Sequence, residues 1–176
     1  MNAKPNGTVL KITRGLIYLM MGGAALVGVA LSVAAVAAPF YWAEIIAMLV
    51  KEKPGVDTAD LLPMFFVAFA LIIMALGLLW TILKKLLAII ATVANGDPFV
   101  RANALRLRAI GWMMVAANVI GIPIGIVATM IADKLGDNDV HNDFSVTGVL
   151  AILLVFVLSS VFEQGAAMRE DMEGTV

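Results

Sequence analysis

Residues 61–83 read Leu-Leu-Pro-Met-Phe-Phe-Val-Ala-Phe-Ala-Leu-Ile-Ile-Met-Ala-Leu-Gly-Leu-Leu-Trp-Thr-Ile-Leu, without one charged side chain. As a helix rising 1.5 Å per residue this run is about 35 Å long, enough to cross a hydrocarbon layer of roughly 30 Å. Three more uncharged runs flank it, at 15–38, 110–131 and 144–162. With 62% apolar and 14% charged residues, and a mean hydropathy of +1.00, the chain holds more apolar surface than a soluble domain of 176 residues can bury. The expected fold class is all-α: an integral membrane four-transmembrane-helix bundle, a single membrane domain over 1–176 in contact with the lipid bilayer. The first run ends near Ala38-Pro39, which raises a cleaved signal peptide as an alternative. Signal h-regions extend over only about 7–15 residues, so a span is the better reading.

Orientation follows from Lys and Arg. Three precede the first span, five lie in 84–109 and one in the tail, against two between the first and second spans and one between the third and fourth. The positive-inside rule then places the N-terminus, the central connection and the C-terminus in the cytoplasm. Both outward loops are acidic, with Glu44, Glu52, Asp57 and Asp60 in one and Asp133, Asp137, Asp139 and Asp143 in the other.

Beyond Lys84-Lys85 the apolar pattern continues to Ala91, and Asn95-Gly96-Asp97-Pro98 then breaks it. Asn95 or Gly96 suits a left-handed helix end, Asp97 an N-cap and Pro98 a first helical turn. The spacing predicts a cytoplasmic helical hairpin over 84–109, with its tip at 95–98 and its returning helix starting at Phe99. On that helix Arg101, Leu105 and Arg108 share a face and Arg106 stands to one side. Two readings compete for these arginines: topogenic charges, or a docking surface for lipid phosphates, an outside partner or the protein's own tail.

Asn95-Gly96-Asp97-Pro98-Phe99-Val100, then Asn103, Leu105-Arg106-Leu107-Arg108, Ile110 and Gly111-Trp112, resembles the central signature of a bacterial membrane family. So does the tail, with Phe162-Glu163-Gln164-Gly165, Met168, Arg169-Glu170 and Thr175-Val176. The family is domain of unknown function 2975, and the likeness extends over the whole chain. Met168 stands where the family has Leu, and Met172-Glu173-Gly174 departs from its Asp-Leu pattern. The resemblance implies a multi-pass protein of the bacterial cytoplasmic (inner) membrane with no established enzymatic activity. Members are often encoded beside a very small helix-turn-helix regulator, which implies a membrane protein that binds a DNA-binding partner.

The tail, 163–176, either forms a helix that docks or hangs in solvent. In the docked reading its carboxylates, Glu170, Asp171 and Glu173 among them, pair with Arg101, Arg106 and Arg108. Asn118 is the strongly polar side chain deep in a span, and is read either as an interhelical hydrogen bond or as a ligand contact. No span contains an internal Asp, Glu, Lys, Arg or His, which argues against a proton relay or charge-coupled transport. Gly121 and Gly125, and Ala24, Gly28 and Ser32, are small residues at four-residue intervals that suit close helix packing, within the chain or with another copy. His141, among Asp137, Asp139 and Asp143, matches no calcium-loop spacing, and a solvated turn is the simpler reading. The eleven Met residues form no copper-like repeat and read as packing. Absent Cys excludes disulfides and thiolate chemistry.

No catalytic, metal-binding or cofactor-binding motif emerges, so the expectation is a non-enzyme without a cofactor. A net charge of -1 and a pI near 5.7 give no footprint for direct nucleic-acid binding. Two functions remain: a regulatory interaction protein holding a small cytoplasmic helix-turn-helix regulator, or a small-molecule or lipid-binding component, such as a transporter subunit, using space near Asn118.

Overall fold

An uncharged helix in lipid keeps all its backbone hydrogen bonds to itself, and the chain adopts that solution four times. The computed structural model describes residues 7–137 and 145–173. It contains α1 (Gly7–Glu52), α2 (Leu61–Ala94), α3 (Arg101–Lys134) and α4 (Val146–Glu173). All four are long and apolar enough to cross a membrane, and no more than 6% of the most apolar stretch of any of them is buried by protein. The remaining apolar surface is therefore solvated by lipid, and the protein is an all-α, four-helix integral membrane protein.

The helices outrun the uncharged segments. α1 has 46 residues and α2 and α3 have 34 each, or about 69 and 51 Å at 1.5 Å per residue. Pro39 and Pro123 lie inside α1 and α3; neither ends its helix, so Ala38-Pro39 closes no segment. The fourth helix begins at Val146, one residue after Ser145, whose hydroxyl accepts the Gly148 amide at 3.1 Å as an N-cap. At its other end α4 passes through Glu163 without a break and continues to Glu173. Residues 163–173 of the tail are thus a continuation of the span. His141, Asp139 and Asp143 lie outside the described residues, as do Thr175 and Val176.

The chain divides into two compact units. The hairpin unit takes the described parts of Met1–Gly23, Leu78–Ala117 and Ser145–Val176. Most of the protein's buried side chains lie in it: Ile17, Leu83, Asn103, Ala104, Leu107, Ile110, Ile152, Ser159 and Ala166. The second unit, Ala24–Gly77 with the described part of Asn118–Phe144, buries Leu61 and Ala132. Trp42 meets Phe65 edge-on at 6.1 Å, and Leu76 touches the space above Gly28. Its loop 53–60 is tied to the end of α3, because Lys134 Nζ reaches Asp57 Oδ2 at 2.5 Å and Lys53 Nζ donates to the Leu135 carbonyl at 3.3 Å.

Candidate functional site at the hairpin

The turn between α2 and α3 is built by one glycine. Gly96 has φ +82°, its amide donates to Val93 O at 3.0 Å and the Asp97 amide donates to Thr92 O at 3.0 Å. This is a Schellman motif, which satisfies the last carbonyls of α2 and needs the left-handed conformation that glycine adopts without a Cβ clash. The sequence expectation for the far side of the turn is corrected here. α3 starts at Arg101, so Phe99 and Pro98 precede the helix and Asp97 is not its cap. The Pro98 carbonyl is held by the Asn103 side chain at 2.9 Å, and the first turn of α3 closes from the Asn103 amide to the Val100 carbonyl at 2.8 Å.

Asn103 is completely buried. Its Nδ2 donates to Thr92 Oγ1 at 2.6 Å and to Pro98 O, while its Oδ1 accepts from Arg106 at 2.8 Å. Thr92 in turn donates to Ile89 O at 2.7 Å. Both amide protons and the carbonyl oxygen of Asn103 are thus engaged across the turn, in a place where an unmade bond costs about 1–3 kcal/mol. Arg106, half-buried, also points its guanidinium at the Ala88 carbonyl, 3.5 Å away. It is part of the frame of the hairpin and does not belong to its exposed surface.

The end of α4 is packed onto this frame. Ser159, buried, donates to the Ala104 carbonyl at 3.0 Å. Phe162 and Phe99 meet at a tilt with ring centroids 5.2 Å apart, Ala166 is buried, and a Cβ on Gly165 would stand 2.7 Å from the Phe99 ring. The glycine in Phe162-Glu163-Gln164-Gly165 therefore makes room for Phe99. Farther along, Arg169 forms an ion pair with Asp97. The expected exchange of charge between tail and hairpin exists, but this pair has the reverse polarity: the tail supplies the cation and the turn the carboxylate.

The other predicted residues are distributed outward. Arg101 and Arg108 are exposed on the α3 face they share with Leu105, which is 59% accessible. Across from them on α4, Glu163, Glu170 and Asp171 are exposed. Two grooves between α3 and α4 share Glu163. One, about 220 Å³, is lined by Arg101, Ala166, Ala167 and Glu170. The other, about 340 Å³, is lined by Arg108, Trp112, Phe156, Ser159 and Ser160. Asn95 is exposed at the turn, Asn118 is exposed on α3, and Glu173 is the last residue of α4.

The sequence model of a family described as "Protein of unknown function (DUF2975)" matches residues 88–176. The chain belongs to this family. The match begins at Ala88, the residue whose carbonyl faces Arg106, and includes both the turn signature and the Phe99-facing segment of α4. It covers the second half of the chain, a narrower extent than the whole-chain likeness read from the sequence. No curated protein matches this DUF2975 member, and no solved structure does.

Asn103, Thr92 and Ser159 carry no role in the sequence alone. The local spacing signals only the Asn103–Arg106 pair, one helical turn apart within the signature; the bonds to Thr92 and from Ser159 to Ala104 have no such signal.

Proposed function

We propose that the hairpin unit of this DUF2975 protein is a cytoplasmic docking platform that holds a small soluble partner, a helix-turn-helix regulator, at the membrane. One observation carries the reading. Among the described residues Arg101 and Arg108 have no ion-pair partner, while their neighbours Arg106 and Arg169 are used to fix the hairpin and the end of α4. A frame that spends two arginines on its own rigidity and presents two others around an exposed leucine has the composition of an interface: an apolar centre with guanidinium groups beside it. The regulator as occupant is what the family resemblance implies, and the positive-inside bias supports a cytoplasmic face for the hairpin.

The test is affinity purification from native membranes in mild detergent, with mass spectrometry of the proteins retained by wild type and by an Arg101→Glu, Leu105→Ala variant. The expected result is a small DNA-binding protein present with wild type and lost from the variant. Wild type that yields only itself and lipid contradicts the proposal.

A further inference from the structure

The second α3–α4 groove sets beside Arg108, one of the two arginines of the proposed platform, a carboxylate and two aromatic rings that docking of a soluble partner does not explain. Arg108 is the last charged residue before Asp133, and Glu163 is the first after Asp143. One span therefore begins directly after Arg108 and its neighbour ends directly before Glu163. This places the guanidinium and the carboxylate at the same membrane boundary, where headgroups lie. They line one groove of about 340 Å³, and neither has an ion-pair partner among the described residues, so no direct ion pair closes the groove.

The rest of the groove suits a lipid. Trp112, 61% accessible, sits at the depth where indole rings favour the interface. It packs edge-on against Phe156 at 5.5 Å, and Phe156 reaches α3 because a Cβ on Gly111 would stand 3.0 Å from its ring. These two rings make an apolar floor on the hydrocarbon side. Ser160 donates to the Phe156 carbonyl at 3.2 Å, which leaves its oxygen lone pairs free to accept a hydrogen bond. Ser159 is already committed to Ala104.

We propose that this groove is a headgroup site for a phospholipid that carries a phosphate and a primary ammonium. Arg108 takes the phosphate oxygens through its planar fork. Glu163 and the Ser160 oxygen accept the ammonium N–H groups, and Trp112 and Phe156 cover the first methylenes of an acyl chain. A phospholipid whose second group is neutral or anionic leaves Glu163 without a cation, and a quaternary choline offers it no N–H donor. The ligand is thus an ethanolamine-type lipid, selected by two opposite charges at fixed positions.

The test uses the full chain, purified and delipidated, with native mass spectrometry during titration with phosphatidylethanolamine, phosphatidylglycerol and phosphatidylcholine of identical acyl chains. Wild type is expected to bind the ethanolamine lipid about fivefold more tightly than either of the others, the size of one charge interaction at a membrane surface. Glu163→Gln should reverse the order in favour of the glycerol lipid, and Arg108→Gln should weaken both. Equal binding of the three lipids by wild type overturns the proposal without recourse to any variant, as does an order that Glu163→Gln leaves unchanged. Partner retention is read with the Arg101→Glu, Leu105→Ala variant, so failure of the lipid site and failure of the docking platform are separate outcomes.

Discussion

The hairpin unit and the second unit are both built from long apolar helices and are held together differently. In the hairpin unit a buried asparagine, a buried serine and an aromatic pair fix four segments of chain, and most of the protein's buried side chains are there. The second unit buries only Leu61 and Ala132 among its described residues. Lys134 pairs with Asp57 at its loop, and Ser32 and Thr129 donate to carbonyls of their own helices. Apolar contact alone gives helices in lipid little reason to prefer one neighbour to another, because hydrocarbon is as good a solvent as leucine. Polar bonds and close steric fits supply that preference, and this chain concentrates them at one end of α4. The contrast supports the proposed docking platform, whose surface is carried by a frame that does not have to be ordered when a partner arrives.

The largest effect that would break this contrast is at Asn103. Asn103→Ala leaves the Thr92 hydroxyl, the Pro98 carbonyl and Arg106 without their partner, and should destabilise the protein by about 2–3 kcal/mol in denaturant unfolding from detergent micelles. Ser32→Ala, which removes an exposed bond to the Gly28 carbonyl of the same helix, should cost far less in the same experiment. Equal losses would mean that the buried network is not what distinguishes the units.

The same glycine substitution made in both units sharpens the comparison. A methyl at Gly165 meets the Phe99 ring at 2.7 Å, whereas at Gly28 the nearest atom is Leu76 Cδ1 at 3.8 Å. Gly165→Ala should cost about 1–2 kcal/mol through overpacking. Gly28→Ala should be neutral or stabilising by up to about 1 kcal/mol, since alanine is the better helix former. Ser159→Ala, which removes one neutral hydrogen bond to Ala104 while leaving the helix intact, should cost about 0.5–1.5 kcal/mol.

How far the sequence reveals this arrangement depends on the distance over which each cause acts. The four spans are legible because an uncharged run of membrane length has few other uses. The helix end at Gly96 is equally so, since Asn-Gly-Asp-Pro contains the residue types that a Schellman turn and its exit require. Asn103 is different. Its partner Thr92 is on the preceding helix, and no local pattern says that a polar residue on α3 turns inward across the turn. The sequence leaves the end of α4 open between a docked helix and a solvated tail, because the contact that decides it, Gly165 against the Phe99 ring, joins residues far apart in the chain. The polarity of the Asp97–Arg169 pair is hidden for a related reason: its two members lie on different elements, and charge counts along the chain do not say which of them meet.

The smallest expected effect belongs to the second unit. The hydrogen bond from Lys134, then the Ala59 amide, hold the Asp57 carboxyl below its ordinary pKa. A carboxyl whose folded pKa is depressed stabilises above its unfolded pKa, and the contribution fades as pH falls through the folded value. Because Asp57 is largely exposed, overall stability should hardly respond. Amide exchange in residues 53–60 should rise below the usual carboxylate range, and Asp57→Asn should abolish that rise while leaving exchange at the hairpin unchanged.

The central claim, that the end of α4 is built into the hairpin, can be tested in the membrane itself. The chain has no native Cys, so a Phe99→Cys, Gly165→Cys pair offers only one intramolecular disulfide. Mild oxidant applied to intact membranes should convert most of the protein to the cross-linked form, with both thiols protected from a maleimide afterwards. Two thiols that remain reduced and fully reactive toward the maleimide would show that α4 leaves the hairpin, and would contradict the account.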